Sequence, residues 1–264
     1  MGKSKMSPLN LIDAHAHLTF EGLIDNIDAV LARSREAGVV GWVTVGTTME
    51  ENRKAVELAQ RFDGMYAAVG FHPHYAKDIT PQEISEIKEL VKHPKIVAIG
   101  ETGLDFHYNF SKQPAQKEIF RQELELAAKL NLPVIVHSRN AFSETMEILT
   151  EFEGKLKRVV FHCFSGNADQ AKYLVERGYY ISFTGVVTFK TATIAREAVA
   201  AVPLDRMMIE TDCPYMSPEP MRKQKINEPA LMIHTAAKIA EIKRVTLEEC
   251  AAGVTATTKA FFEL

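Results

Sequence analysis

Residues 96–105 read Ile-Val-Ala-Ile-Gly-Glu-Thr-Gly-Leu-Asp, an apolar run followed at once by Glu101 and Asp105. A continuous run of branched aliphatic residues and alanine is typical of a strand that a parallel sheet buries on both faces. The two carboxylates then lie near the point where this strand ends. The combination of an apolar run and a polar residue directly after it recurs along the chain. This recurrence is the basis for predicting both the fold and the kind of site.

The fold prediction rests on further apolar runs and on the segments between them. Amphipathic segments with helical spacing separate the runs, for example Asp25–Ala37, Glu50–Phe62 and Gln113–Leu130. Eight such units predict an α/β fold, a single (β/α)8 TIM barrel, with a doubly wound open sheet as the alternative. The predicted strands are Leu11–Ala14, Val39–Val45, Tyr66–Val69, Ile96–Ile99, Val134–Val136, Val159–Phe161, Tyr179–Phe183 and Met207–Ile209.

The composition is that of a globular protein, with 264 residues, 46% of them hydrophobic and 25% charged, and a net charge of -3. This charge argues against a protein that coats nucleic acid through a broad basic face. We expect a flexible tail over residues 1–8 and a single TIM-barrel domain over residues 9–264. Three cysteines give no disulfide framework, and no apolar run approaches the ~20 residues of a membrane span. We therefore expect a cytoplasmic protein with no membrane contact and no obligate protein partner.

Ligand-type residues follow five of the eight predicted strands. In a barrel, the carboxyl ends of all strands meet on the face where active sites are built, so these side chains converge. His15 and His17 are two residues apart, a spacing that places both imidazoles on one side of an extended strand. The six candidate metal ligands are His15, His17, Glu101, His137, His162 and Asp212.

Four imidazoles and two carboxylates exceed the ligand set of one tetrahedral ion. They fit two divalent ions about 3.5–4 Å apart that share a carboxylate. Nitrogen and oxygen ligands without thiolate fit Zn, Mn, Co or Ni, and also Mg if water completes its shell. As a catalytic hypothesis, Glu101 bridges or anchors the ions, and Asp212 also accepts a proton from the attacking water. The simpler alternative for any one of these residues is a structural hydrogen bond or a helix cap.

Three further polar residues are predicted to contact the substrate. His72 and His74 follow the third strand, and the alternative for both is an exposed position on a loop that Pro73 stiffens. Arg139 follows the candidate ligand His137 by two residues, and a guanidinium there is expected to hold a phosphate through two hydrogen bonds. Its alternative is an ion pair with a carboxylate of a neighbouring loop.

Residues next to the candidate ligands receive supporting roles. We expect Asp13 to orient the ring of His15, and Asp105 to bind an amide of its own loop. Cys163 and Cys213 each follow a candidate ligand directly. Because adjacent side chains of a strand point to opposite faces, both cysteines are interpreted as buried packing residues rather than ligands.

Several short motifs complete the sequence evidence: Asp13-Ala-His-Ala-His17, Gly70-Phe-His-Pro-His74, Gly100-Glu-Thr-Gly-Leu-Asp-Phe106, Pro133-Val-Ile-Val-His-Ser-Arg139, His162-Cys-Phe-Ser-Gly166, Ile181-Ser-Phe-Thr-Gly185 and Glu210-Thr-Asp-Cys-Pro-Tyr215, followed by Asn227-Glu-Pro229. Together they resemble the TatD family of metal-dependent deoxyribonucleases over nearly the whole chain. The resemblance implies a TIM barrel of the amidohydrolase type, hydrolysis that depends on divalent metal, and the same six ligands. It also implies DNA as the substrate, because some members are 3′-end exonucleases.

The sequence therefore predicts a hydrolase of phosphodiester bonds, most simply a deoxyribonuclease that acts on single-stranded DNA or on 3′ ends. The open alternatives are hydrolysis of another ester or amide bond, such as D-aminoacyl-tRNA deacylation, hydrolysis of small phosphoesters, and a non-catalytic metal-binding barrel. Some hydrolases with this barrel bridge their metals through a carboxylated lysine at a strand end. This subclass is disfavoured here, because the proposed strand ends contain Glu101 but no lysine.

Overall fold

The computed structural model describes residues 9–264, so the predicted tail over residues 1–8 lies outside the described residues. Eight strands coincide with the eight predicted runs, and some continue further toward the carboxyl end. The strands are β1 (Leu11–Ala16), β2 (Val39–Val45), β3 (Met65–Val69), β4 (Ile96–Asp105), β5 (Val134–Arg139), β6 (Val159–Phe161), β7 (Tyr180–Phe183) and β8 (Met207–Ile209).

The strands are parallel and pair in chain order from β1 to β8. A doubly wound sheet places later strands on both sides of the first strand, so this order excludes that alternative. Backbone hydrogen bonds join the two edges, because Asp212 N donates to His15 O at 3.0 Å and His17 N donates to Cys213 O at 2.8 Å. The predicted (β/α)8 TIM barrel is confirmed.

Helices connect the strands on the outside of the barrel. Two of these helices begin with a threonine cap. The hydroxyls of Thr80 and Thr246 each accept a hydrogen bond from the backbone amide three residues on, and the glutamate at that position accepts one from the backbone amide of the threonine. The predicted helix Asp25–Ala37 is wrong in its first residues, because the chain forms two helices there that meet around Asn26. The helices are α1 (Glu21–Ile24), α2 (Ile27–Glu36), α3 (Met49–Arg61), α4 (Pro81–Leu90), α5 (Gln113–Leu130), α6 (Phe142–Glu151), α7 (Ala168–Glu176), α8 (Thr193–Ala201), α9 (Met232–Lys243) and α10 (Leu247–Phe262).

The apolar core has two parts. The larger part lies between the barrel and its helices and contains the buried rings of Trp42, Phe71 and Phe120. The smaller part fills the barrel interior with side chains from most of the strands, and Phe261 and Phe262 of α10 pack against it. Across residues 9–264, no helix combines the length and the apolar character that a bilayer crossing requires. The polar face of the barrel lies at the carboxyl ends of the strands.

Two strands carry an extra residue next to the polar face. In β1 the pairing with β2 shifts between Asp13 and Ala16, and in β4 the pairing with β5 shifts between Ile99 and Thr102. Gly100 has a φ of +144°, a conformation that suits glycine, at the shift in β4. A bulge of this kind re-aims the side chains around it. The two bulges lie at His15 and Glu101, so they help to set the geometry described next.

Candidate metal centre

Glu101 lies at the centre of the polar face, and its two carboxylate oxygens face different histidines. Oε2 is 3.4 Å from His15 Nε2 and 3.5 Å from His17 Nε2. Oε1 is 2.8 Å from His137 Nδ1 and 2.7 Å from His162 Nε2. The carboxylate thus separates two pairs of imidazoles and belongs to both. Two sets of nitrogen donors therefore meet at one carboxylate.

Asp212 completes the half of the centre that contains His15 and His17. Its Oδ1 is 3.4 Å from His17 Nε2 and 3.9 Å from His15 Nε2, and the two imidazole nitrogens are 3.3 Å apart. Ligand atoms about 2.0–2.2 Å from one tetrahedral ion lie about 3.3–3.6 Å from each other. The spacing of these nitrogens and oxygens therefore fits a single divalent ion held among them.

Hydrogen bonds fix which ring nitrogen of His17 and of His137 faces the centre. His17 Nδ1 is 3.2 Å from the carbonyl oxygen of Val45, and His137 Nε2 is 3.2 Å from Oδ2 of Asp105. Both partners accept hydrogen bonds, so these ring nitrogens carry the proton in the neutral imidazole. The other nitrogen of each ring, with its lone pair, then faces the candidate centre, as metal-ligating histidines require.

His162 lies next to the carboxylate of Glu210, a residue for which the sequence suggested no role. Its Nδ1 is 3.4 Å from Glu210 Oε1, and its Nε2 faces Glu101. Glu210 is buried and also accepts the amide of Cys163 at 2.6 Å. In the sequence, its position two residues before the candidate ligand Asp212 does not distinguish Glu210 from a surface or capping glutamate.

The buried carboxylates and imidazoles of the centre shift each other's pKa. The pKa of Glu101 lies well below its ordinary value. Burial acts to raise this pKa, but the charge of His162 and hydrogen bonds from other histidines outweigh that effect. The pKa of His162 lies well above its ordinary value. Burial acts to lower this pKa, but the charge and the hydrogen bond of Glu101 outweigh that effect. Burial lowers the pKa of His15, which keeps a free lone pair. A divalent ion would displace the protons that balance Glu101.

The two histidines of the Pro73 loop lie at different depths. His72 is buried, and its Nε2 is 3.4 Å from Oε1 of Glu101, while its Nδ1 accepts the amide of His74 at 3.1 Å. The neutral ring of His72 therefore carries its proton on Nε2 and donates toward Glu101 instead of offering a lone pair. His74 is half-buried, and its Nε2 is 2.9 Å from Oδ2 of Asp105. The alternative of two exposed loop imidazoles is wrong.

A cavity of about 810 Å³ opens above these side chains. Arg139 lines its wall, and its guanidinium carbon lies 4.7 Å from the ring centroid of Tyr108. Among the ion pairs of residues 9–264, none involves Arg139, so the alternative of a pair with a loop carboxylate is not seen. The lining also includes His17, His72, His74, Glu101, Asp105, His137, His162, Cys163, Asp212 and Tyr215.

Two of the supporting roles need correction. The carboxylate of Asp13 accepts hydrogen bonds from the amide and the hydroxyl of Thr211, so it joins β1 to the segment after β8 and does not reach the ring of His15. Cys213 is buried as expected, but Cys163 is only partly buried and lines the cavity. The expected contact of Asp105 is present, because its Oδ1 accepts the amides of two residues of its own loop.

Comparison with known proteins places this geometry in a family. The family model described as "TatD related DNase" matches residues 12–263. The chain belongs to the TatD family. A Bacillus subtilis relative, the uncharacterized metal-dependent hydrolase YabD, is 40% identical over 96% of this chain and 99% of its own length. The 3'-5' ssDNA/RNA exonuclease TatD of Enterobacter lignolyticus is 38% identical over 87% of this chain and 90% of its own length.

A solved structure supports the same assignment. The TatD homolog YJJV of Escherichia coli superposes with a TM-score of 0.90 at 30% identity, covering 98% of this chain and all of that chain (100%). The expectation of a TatD-type metal-dependent hydrolase is confirmed. The His, Glu and Asp side chains that converge around Glu101 provide the donor atoms that such a hydrolase needs.

Proposed function

We propose that this TatD-family chain is a phosphodiesterase that binds two divalent ions and removes nucleotides from the 3′ end of single-stranded DNA. The single observation that carries the proposal is the division of the Glu101 carboxylate between two sets of ring nitrogens. The nuclease name of a relative with 38% identity supports nucleic acid as the substrate. Zn, Mn, Mg, Co and Ni all suit the donor set.

The six predicted ligands divide into two groups that share Glu101. We assign His15, His17 and Asp212 to one ion and His137 and His162 to the other. The hydrogen bonds behind the rings of His17 and His137 keep their other ring nitrogens aimed at the centre. Bound divalent ions lower the pKa of coordinated water and offset negative charge on a phosphoryl group.

The remaining polar residues of the cavity orient the substrate. Asp212 lies on the cavity side of the centre, where its carboxylate accepts a proton from the attacking water. Arg139 presents a guanidinium without a carboxylate partner to the cavity, where it holds a non-bridging phosphate oxygen. His74 and His72 line the same cavity, and we propose both as further contacts of the substrate. We also propose a cytoplasmic location, which the three unpaired cysteines of the chain support.

The direct test is trimming of single-stranded DNA labelled at its 5′ end by protein that was stripped with chelator and reloaded with one metal at a time. We expect a ladder of 3′-shortened products that requires metal. Glu101→Ala and Asp212→Ala should abolish the ladder, whereas Glu248→Gln, at an exposed position on α10, should leave it unchanged. Full activity of either alanine variant, or of the chelated protein, would refute the proposal. Intact DNA with two bound ions would redirect the search to aminoacyl-tRNA and small esters.

A further inference from the structure

Two aromatic rings lie exposed at the mouth of the cavity, outside the candidate centre. Tyr108 is 49% exposed and Phe110 is 59% exposed, and both line the cavity. Their rings stack on each other with centroids 5.3 Å apart and planes at 13°. Large apolar side chains that remain in water beside a polar site mark a surface that binds something.

The loop that carries the rings is held at both ends. Asp105 accepts the amide of Tyr108 at 2.9 Å, which fixes the start of the loop. The buried Ser111 fixes its end, because its hydroxyl donates to the carbonyl of His74 at 2.7 Å and accepts the amide of Lys77 at 3.0 Å. The rings are therefore exposed by a well-anchored backbone, and a ligand that stacks on them meets a preorganised surface.

Cationic and polar groups border the two rings. The guanidinium of Arg139 lies over Tyr108 at 4.7 Å from its centroid, and the ring of His74 meets Phe110 edge-on with centroids 4.8 Å apart. Arg139 thus combines a planar face on an aromatic ring with free N–H groups. A ligand that fits this surface has a flat, unsaturated part beside an anionic part, which is the chemistry of a nucleotide.

One carboxylate connects this surface with the candidate centre. Oδ1 of Asp105 holds the aromatic loop, while its Oδ2 contacts the rings of both His74 and His137. The position of the aromatic rings relative to the candidate ligand His137 is therefore fixed through a single side chain. The aromatic rings and the candidate centre therefore line one cavity and share one hydrogen-bonded carboxylate.

We propose that Tyr108 and Phe110 form a stacking platform for the unpaired terminal base of a nucleic acid, with Arg139 on the adjacent phosphate. This inference rests on the proposed function, and it identifies the aromatic platform as the surface that selects the substrate. A base within a duplex end is paired and stacked on its neighbour, whereas a single-stranded end offers a free π-face. The platform thus favours single-stranded 3′ ends over blunt duplex ends and requires a base on the terminal nucleotide.

The test compares two single-stranded oligonucleotides that differ only in whether the 3′-terminal nucleotide carries a base or is abasic. Tyr108→Ala and Phe110→Ala should lower kcat/KM for the base-bearing oligonucleotide by about 5- to 100-fold, the range for one stacked base. The abasic oligonucleotide should be cleaved almost equally by both variants and by the unaltered protein. Tyr173→Ala, on α7, is the matched control, since Tyr173 is also exposed and also lies under a guanidinium, that of Arg177.

A second readout does not require turnover. Fluorescence anisotropy of the labelled oligonucleotides with the chelated protein should show tighter binding of the base-bearing oligonucleotide, and this preference should vanish in Tyr108→Ala. Circular dichroism confirms that each variant is folded. Equal losses on both oligonucleotides, no loss on either, or a similar loss in Tyr173→Ala would overturn the platform. If the unaltered protein cleaves neither oligonucleotide with any metal, the proposed function fails, and the anisotropy preference alone decides the platform.

Discussion

The carboxyl group of Glu123 lies buried on α5 between the ends of two strands. It accepts the amide of Phe71, which follows β3, at 2.8 Å, and it is hydrogen-bonded to the hydroxyl of Thr102 in β4. Neither partner is charged. Burial therefore dominates and raises the pKa of Glu123 from 4.5 to about 8, although both hydrogen bonds oppose the shift. Replacement of Glu123 by glutamine keeps the shape of the side chain and removes its ionisation.

The sign of the effect on stability follows from the direction of the shift. The unfolded chain ionises Glu123 near its ordinary pKa of 4.5, whereas the native protein resists ionisation up to about pH 8. The contribution of Glu123 to stability is therefore complete below pH 4.5 and is lost as the pH rises through 8. A shift of this size corresponds to a loss on the order of 5 kcal/mol.

Urea unfolding of chelated protein between pH 5 and pH 9, followed through the fluorescence of the buried Trp42, measures this loss. We expect the unfolding free energy of Glu123→Gln, relative to the unaltered protein, to rise by several kcal/mol across this range, on the order that the pKa shift allows. Glu125→Gln, at an exposed position on the same helix, is the control and should show no such trend. A difference between Glu123→Gln and the unaltered protein that stays constant with pH would refute the reasoning.

Three further predictions follow from other contacts. Asp105→Asn should lower kcat about 10- to 100-fold, because Asp105 orients the ring of His137 behind the candidate centre. Steady-state kinetics measures this loss, and an unchanged kcat would count against the orienting role. Asp13→Ala should cost about 1–3 kcal/mol in urea unfolding, because it leaves the buried amide of Thr211 without its acceptor. Chelation should lower the Tm and readdition of metal should restore it, since the ion binds the native state; a Tm indifferent to metal would contradict this.

The fold was predictable because its strands are buried on both faces. A strand such as Val134–Val136 is then apolar throughout, and the first polar residue after it marks its carboxyl end. In a barrel these ends meet, so side chains as distant in sequence as His15 and His162 could be assigned to one site. The structure brings the six predicted ligands together, with Glu101 at the centre of the other five, and their role as ligands remains the proposal made above.

Other features depend on three-dimensional contacts that residue types do not encode. The extra residue in β1 breaks the alternation from which Asp13 was expected to share a side with His15, and its carboxylate binds Thr211 instead. Glu210 could not be separated from a surface or capping glutamate, because its function depends on which ring lies opposite it. The partial exposure of Cys163 likewise follows from its backbone, which has a φ of +43° and departs from the extended strand.

We propose above that two divalent ions share the carboxylate of Glu101. Electron paramagnetic resonance of the protein loaded with Mn²⁺, together with its metal content, tests this directly. Two ions about 3.5–4 Å apart that share a bridging ligand are exchange-coupled, so we expect two Mn²⁺ per chain and a coupled multiline spectrum. Glu101→Gln should lose the coupling while its circular dichroism stays unchanged. One ion per chain at saturation, or a coupled pair that persists in Glu101→Gln, would contradict the account.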